Sequence, residues 1–186
     1  MTLEAYSYLY QHKERFPSVQ ILGYYHRDLI HLFSTDDGII MLNEKDVGAS
    51  SGGYTDMPIN HKVFLAQFDT IKKIADEGPC ILVGRCADYA LEEYDNVLSV
   101  FIHADMDARI RRIARIYDLT DAKAKDMIIK TDKKRSSYYN YYSNKRWGDV
   151  DSYDMCLNSS MLGIEGTAEA IEKLVELKER QCDKKL

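Results

Sequence analysis

Apolar positions change their spacing along the chain, and each change marks a boundary between elements. Leu3, Tyr6, Leu9 and Tyr10 recur at helical spacing, so an opening helix is expected, ended by Pro17. Val19-Gln20-Ile21-Leu22, held between Pro17 and Gly23, reads as a short strand, and residues 28–32 as the start of another helix. Over 35–58 turn formers dominate, with Asp36-Asp37-Gly38 and then Gly48-Ala49-Ser50-Ser51-Gly52-Gly53, making this the most loop-prone stretch.

Beyond Asn60 the pattern sharpens. Val63, Phe64, Phe68, Ile71, Ile74 and Ala75 share a helical face, and Gly78-Pro79 stops that helix. Cys80-Ile81-Leu82-Val83 and Val97-Leu98-Ser99-Val100-Phe101-Ile102 are continuous apolar runs, as strands covered on both faces show, with a helical stretch over 87–93 between them. Asp105 stands where a helix N-cap belongs. The helix after it carries Met106, Ile110, Ile113 and Tyr117 on one stripe and Arg109, Arg112 and Arg115 on another. Thr120 is placed to cap a further helix running through the tyrosine-rich segment. Asp154-Met155-Cys156-Leu157-Asn158 then reads as a strand and 165–180 as a closing amphipathic helix. Helices alternating with strands in this way predict an α/β fold, a parallel sheet flanked by helices. With no repeat, low-complexity tract or long linker, a single domain over 1–186 is expected.

Composition narrows the class. The chain has 186 residues, 45% hydrophobic and 30% charged, which excludes collagen-like and largely disordered proteins. No apolar run approaches the ~18 residues of a spanning helix. Met1-Thr2-Leu3-Glu4-Ala5 lacks the layout of a secretory signal, so a cytoplasmic protein without membrane attachment is expected. Cys80, Cys86, Cys156 and Cys182 form no C-x-x-C pair and read as reduced thiols rather than zinc ligands or disulfides, so no metal ligand set is expected. Charge is uneven: the net charge is −5, yet 105–149 holds twelve basic residues against seven acidic ones. A cationic island in an acidic protein points to a local anionic ligand rather than to nucleic acid along a whole face; a solvated basic helix is the plainer alternative.

Two constellations could carry chemistry. Gly84-Arg85 follows an expected strand end, where ligands sit in open parallel sheets, and Asp88 comes one helical turn later. Glycine permits close backbone approach and arginine offers a planar fork for phosphate oxygens or a base edge. A structural Arg85–Asp88 pair is the competing reading. The second is the run Lys130-Thr131-Asp132-Lys133-Lys134-Arg135 followed by Ser136-Ser137-Tyr138-Tyr139-Asn140-Tyr141-Tyr142. On a helix Asp132 and Arg135 share a face that Tyr138, Tyr139 and Tyr142 continue, and cations beside rings hold phosphates and stack on bases; packing or an interface is the alternative. Arg109, Arg112 and Arg115 add to the same positive field.

These residues carry a resemblance. Val63-Phe64-Leu65-Ala66-Gln67, the run from Gly78 through Gly84-Arg85-Cys86-Ala87-Asp88-Tyr89, the 130–142 run, Lys145-Arg146-Trp147-Gly148-Asp149 and Asp154 to Ser160 are similar, in order over roughly 58–175, to the bacterial cytidylate kinase-like family. The resemblance implies a P-loop nucleoside-monophosphate-kinase fold with a helical lid, here at about 120–149. It implies phosphoryl transfer from ATP, with Mg²⁺, to a nucleoside monophosphate, CMP being the first candidate. Carried over, Arg85 and Asp88 would contact the acceptor nucleotide, Lys130, Asp132 and Arg135 would be catalytic residues on the lid, and Arg109 and Arg112 would meet donor phosphates. Positioning and electrostatics supply most of the catalysis in such reactions.

Family members open with a strand and a glycine-rich phosphate loop. Tyr24-Tyr25-His26-Arg27-Asp28-Leu29-Ile30 resembles the family segment after the helix that follows that loop, so the first strand and the phosphate loop are expected to be missing. Gly48 to Thr55 has the spacing G-x-x-x-x-G-x-T with Tyr54 in place of lysine, and without a strand before it this reads as a loop. Three readings stay open: a nucleotide kinase, a catalytically impaired nucleotide-binding relative, and a tyrosine-rich interaction module. A missing central strand would expose apolar surface, which makes a homodimer a further expectation.

Overall fold

The structure is a computed structural model and describes residues 20–23 and 59–182. The expected opening helix, the helix at 28–32 and the loop over 35–58 with its glycine-rich stretch lie outside the described residues. Four strands form one parallel sheet: β1 (Gln20–Gly23), β2 (Ile81–Val83), β3 (Val97–His103) and β4 (Met155–Asn158), in the order β2-β1-β3-β4. β1 lies inside the sheet, with Ile21 paired to Ile81 on one side and to Leu98 on the other. On the far side of β3, Val100 pairs with Met155.

The period-2 pattern of the strands sends alternate side chains into two apolar layers. Ile81, Leu98, Val100, Ile102 and Leu157 face Ala168, Ile171 and Val175 of the closing helix α5 (Ser159–Cys182). On the opposite face Leu82 packs against Ile71, Ile74 and Ala75 of α1 (Ile59–Glu77), and against Ala87, Ala90 and Leu91 in and just after the short α2 (Ala87–Ala90). Burying each large aliphatic side chain contributes about 1.5–3 kcal/mol, so these two layers hold the sheet between its helices. Gly78 at φ +144° and Pro79 end α1 where the sequence places its stop. The expected 87–93 helix shortens to a single turn. α5 begins at Ser159, earlier than the expected 165, with a break at Gly163, φ +69°, between its first turn and its body.

The remaining helices, α3 (Met106–Tyr117) and α4 (Asp121–Ser143), form a hairpin that packs chiefly on itself; α3 buries none of its residues. Asp105 does occupy the N-cap of α3, but its carboxylate makes no cap bond. Its Oδ1 instead accepts from Asn158 Nδ2 at 2.9 Å, linking the end of β4 to the start of α3. Thr120 does cap α4, its hydroxyl oxygen accepting from the Lys123 amide. The C-terminal half of α4 is held by an aromatic layer in which Phe64, Cys86 and Tyr139 are buried among Phe68, Tyr138, Tyr142 and Tyr153.

Candidate functional site

The chain leaves β2 through three successive left-handed residues, Gly84 (φ +77°), Arg85 (φ +59°) and Cys86 (φ +56°), and enters α2 on the Ala87 N–H to Gly84 C=O bond of 3.2 Å. Left-handed backbone at a non-glycine residue costs about 1–2 kcal/mol, so Arg85 and Cys86 hold a strained turn at the carboxyl end of a strand. Asp88, 9% exposed, does not reach back to Arg85: its Oδ2 accepts from the Tyr139 hydroxyl at 2.6 Å. Burial raises the Asp88 carboxyl above the usual range, against the lowering effect of that bond and of Lys145. The Tyr139 hydroxyl is itself raised strongly by burial and by Asp88, so it stays protonated and donates. Beside this pair the Tyr138 hydroxyl donates to Gln67 Oε1 at 3.3 Å. Burial raises the Tyr138 hydroxyl, Cys86 adds to the rise, and Arg85 lowers it in opposition. Gln67 Nε2 and Asp88 Oδ1 are both buried without a hydrogen-bond partner among the described residues.

A second locus opens at the carboxyl ends of β3 and β4, beneath the α3–α4 hairpin. It is a cavity of about 550 Å³, walled by Ile113, Met127, Ile128 and Val150, with Phe101 and Trp147 meeting edge to face at 5.3 Å between ring centres. Into this apolar space come Arg109, Arg112 and Arg135. Asp132, the only carboxylate on the cavity wall among the described residues, meets Arg109 Nη2 at 2.7 Å through Oδ2 and at 2.8 Å through Oδ1, and Arg135 Nη1 at 3.5 Å. These three side chains are 21–28% exposed, deep enough for charge to act through a reduced dielectric and open enough for a ligand to compete. A cavity with apolar walls and a cationic side suits an amphipathic anion, such as an aromatic base carrying phosphate.

Of the residues singled out in the sequence, Arg109, Arg112, Asp132 and Arg135 line the cavity, while Arg85 lies in the turn after β2 and Asp88 in the short α2 that follows it. Lys130 is exposed on α4 and is not on the cavity wall. Sequence reasoning gave no separate role to Thr131, Trp147, His103, Cys156 and Ser159, which also line the cavity, or to Gln67. Gln67 did carry a signal: an amide on the apolar stripe of α1, 1% exposed, is a buried polar group that asks for a reason. Trp147, the single tryptophan of the chain, sits beside Gly148 at φ +78°, where an added Cβ would lie 3.4 Å from the Phe101 ring. No group of three or more His, Cys, Asp or Glu among the described residues is arranged to hold a metal ion, and Asp132 is committed to two guanidiniums. Among the described residues, then, no protein cage for a Mg²⁺ is formed. No described helix is long and apolar enough to cross a membrane.

The sequence and the fold resemble those of known proteins. The chain is 31% identical over 105 residues to a cytidylate kinase from Methanococcus vannielii, a match covering 55% of this chain and 60% of that protein, less than two thirds of the relative's length. Its fold resembles the crystal structure of an uncharacterized protein from Eubacterium ventriosum, with a TM-score of 0.61 and 29% identity over 63% of this chain and 74% of the other. Residues 20–161 match the cytidylate kinase-like family. With its parallel sheet, its arginine-lined cavity and this match over most of its length, the chain belongs to the cytidylate kinase-like family.

Proposed function

We propose that this chain is a nucleoside-monophosphate kinase, moving the γ-phosphoryl group of ATP to a monophosphate, with CMP the first acceptor to test. The observation that carries the reading is the pairing of Arg109 and Arg135 with Asp132, with Arg112 on the same wall, in a mostly apolar cavity at the carboxyl edge of the sheet where the Arg85 turn also lies. In this reading the apolar walls take the donor base, Arg109 and Arg112 hold donor phosphates, and Arg85 with Asp88 holds the acceptor. The segment at about 120–149, which holds α4, acts as the lid over the nucleotide inside a single 1–186 domain. An acceptor phosphate oxygen attacks the γ-phosphorus, the bond to the β,γ-bridging oxygen breaks, and the electron pair leaves with ADP. Arg135 stands where charge spreads over the transferring group, and Mg²⁺ carried by ATP neutralises phosphate charge. Lys130, on the solvent side of α4, then adds to the attracting field rather than touching the reacting atoms.

A second reading, a relative that binds nucleotide without transfer, is favoured by one feature. Tyr24-Tyr25-His26-Arg27, not a glycine-rich run of the phosphate-loop kind, follows β1 in the sequence. Calorimetric titration with CMP, with and without MgATP, separates the two. Heat of turnover on mixing both nucleotides supports the kinase; CMP binding that MgATP leaves unchanged supports the binding relative; no heat from either removes both.

Cys156 offers an independent check on which ligand fills the cavity. It is exposed on the cavity wall, whereas Cys86 is buried and burial pushes the Cys80 thiol up to about 11. Burial and Asp149 raise the Cys156 thiol as well, so labelling by N-ethylmaleimide is best followed near pH 8.5. MgATP is expected to slow labelling of Cys156, read by peptide mass mapping, about tenfold at 10 Kd, since only the free fraction reacts. CMP alone should leave the rate unchanged; protection by CMP and not by MgATP would place the acceptor in this cavity instead.

A further inference from the structure

The two halves of α4 do different work. Its C-terminal half is fastened to the acceptor side of the fold: Tyr138 donates to Gln67 of α1, Tyr142 stacks on Phe64 at 4.1 Å and 13°, and fully buried Tyr139 donates to Asp88. Its earlier part, as far as Arg135, walls the cavity with Met127, Ile128, Thr131, Asp132 and Arg135. Arg135 stands four residues before Tyr139, about 6 Å along one helix, so a displacement at the tyrosine is carried to the arginine as rigid-body motion. Asp88, meanwhile, keeps its second carboxylate oxygen buried without a partner among the described residues, one turn from Arg85. A buried unsatisfied acceptor is unfavourable, and a donor group on a ligand seated at Arg85 would relieve it.

We propose that Tyr139 is a positioning residue: its hydrogen bond to Asp88 ties α4 to the acceptor pocket, so that a monophosphate held by Arg85 and Asp88 sets where Arg135 stands in the donor cavity. This rests on the acceptor-site reading given above. The tether makes the two nucleotide sites energetically coupled, and coupling of this kind is reciprocal.

The test measures binding and needs no turnover. The affinity of the β,γ-methylene analogue of ATP is titrated with and without saturating CMP, in the wild-type chain and in Tyr139→Phe, which keeps the ring and removes the hydroxyl. CMP is expected to tighten the analogue about tenfold in the wild type, within the span usual for coupled sites, and less than about twofold in Tyr139→Phe. The variant's own CMP affinity should stay within about threefold of wild type, since Arg85 is untouched. Full coupling in Tyr139→Phe, or two nucleotides binding the wild type independently, overturns the tether alone. A wild-type chain that does not bind CMP overturns the acceptor reading and the tether with it. Should Tyr139→Phe not fold, Tyr139→Met, which fills the space with an adaptable apolar chain and also lacks the hydroxyl, is read in the same way.

Discussion

Arg135→Ala is expected to lower kcat for phosphoryl transfer from MgATP to CMP by about a thousandfold, the smaller end of what a charge-neutralising arginine contributes to such reactions. The KM for CMP should change by no more than about threefold, because only interactions stronger in the transition state than in the ground state act on kcat. The geometry supports this split. Arg135 lies on the wall of a mostly apolar cavity with its side chain 24% exposed, and Asp132, at 3.5 Å, holds its guanidinium in place before any ligand arrives. A preorganised cation in a low-dielectric site is worth far more to developing charge than the same cation in water. Arg135→Lys keeps the charge but loses the planar fork and should recover only part of the rate. Steady-state kinetics with both substrates varied decides the matter: equal losses in binding and turnover would make Arg135 a ground-state contact and remove its role on the transferring group.

Arg85→Gly should separate affinity from stability. The guanidinium in the turn after β2 is the first contact assigned to the acceptor phosphate, and losing charge-assisted bonds of about 1.5–3 kcal/mol predicts CMP binding weaker by about 10- to 100-fold. The fold should survive. Arg85 sits at φ +59°, a conformation that glycine adopts without the side-chain clash. Relief of about 1–2 kcal/mol of strain offsets the extra freedom of a glycine in the unfolded chain, so stability should stay within about 1 kcal/mol of wild type. Urea unfolding and calorimetric titration of the same preparation measure both quantities. A chain that unfolds would show the arginine to be a structural element of the turn; one that binds CMP as before would remove it from the acceptor site.

Local pattern was enough for most elements of this protein. The apolar stripe from Phe64 to Ala75 specifies α1, and Gly78-Pro79 its end, because helix formation and termination depend on neighbours three and four residues away. The same holds for the continuous apolar runs of β2 and β3, whose alternation feeds two opposite layers, and for Thr120 at the start of α4. The α/β class followed from their alternation. Of the cations singled out in the sequence, Arg109, Arg112 and Arg135 line the cavity, whereas Arg115 and Lys130 do not.

Partnerships were decided only by the tertiary structure. Spacing left a pair of Asp88 with Arg85, one turn away, as a competing reading; packing pairs Asp88 with Tyr139, 51 residues on, because burial denies an uncompensated carboxylate and a hydrogen-bond donor on a neighbouring helix supplies the remedy. Arg109 and Asp132, 23 residues apart, meet only once α3 and α4 fold back on each other, and that hairpin also creates the cavity. The interior place of β1 in the sheet is of the same kind, since a four-residue apolar run looks alike at an edge or in the middle. Periodicity records which face of an element is apolar; which other element covers that face is settled by long-range contacts that no local window contains.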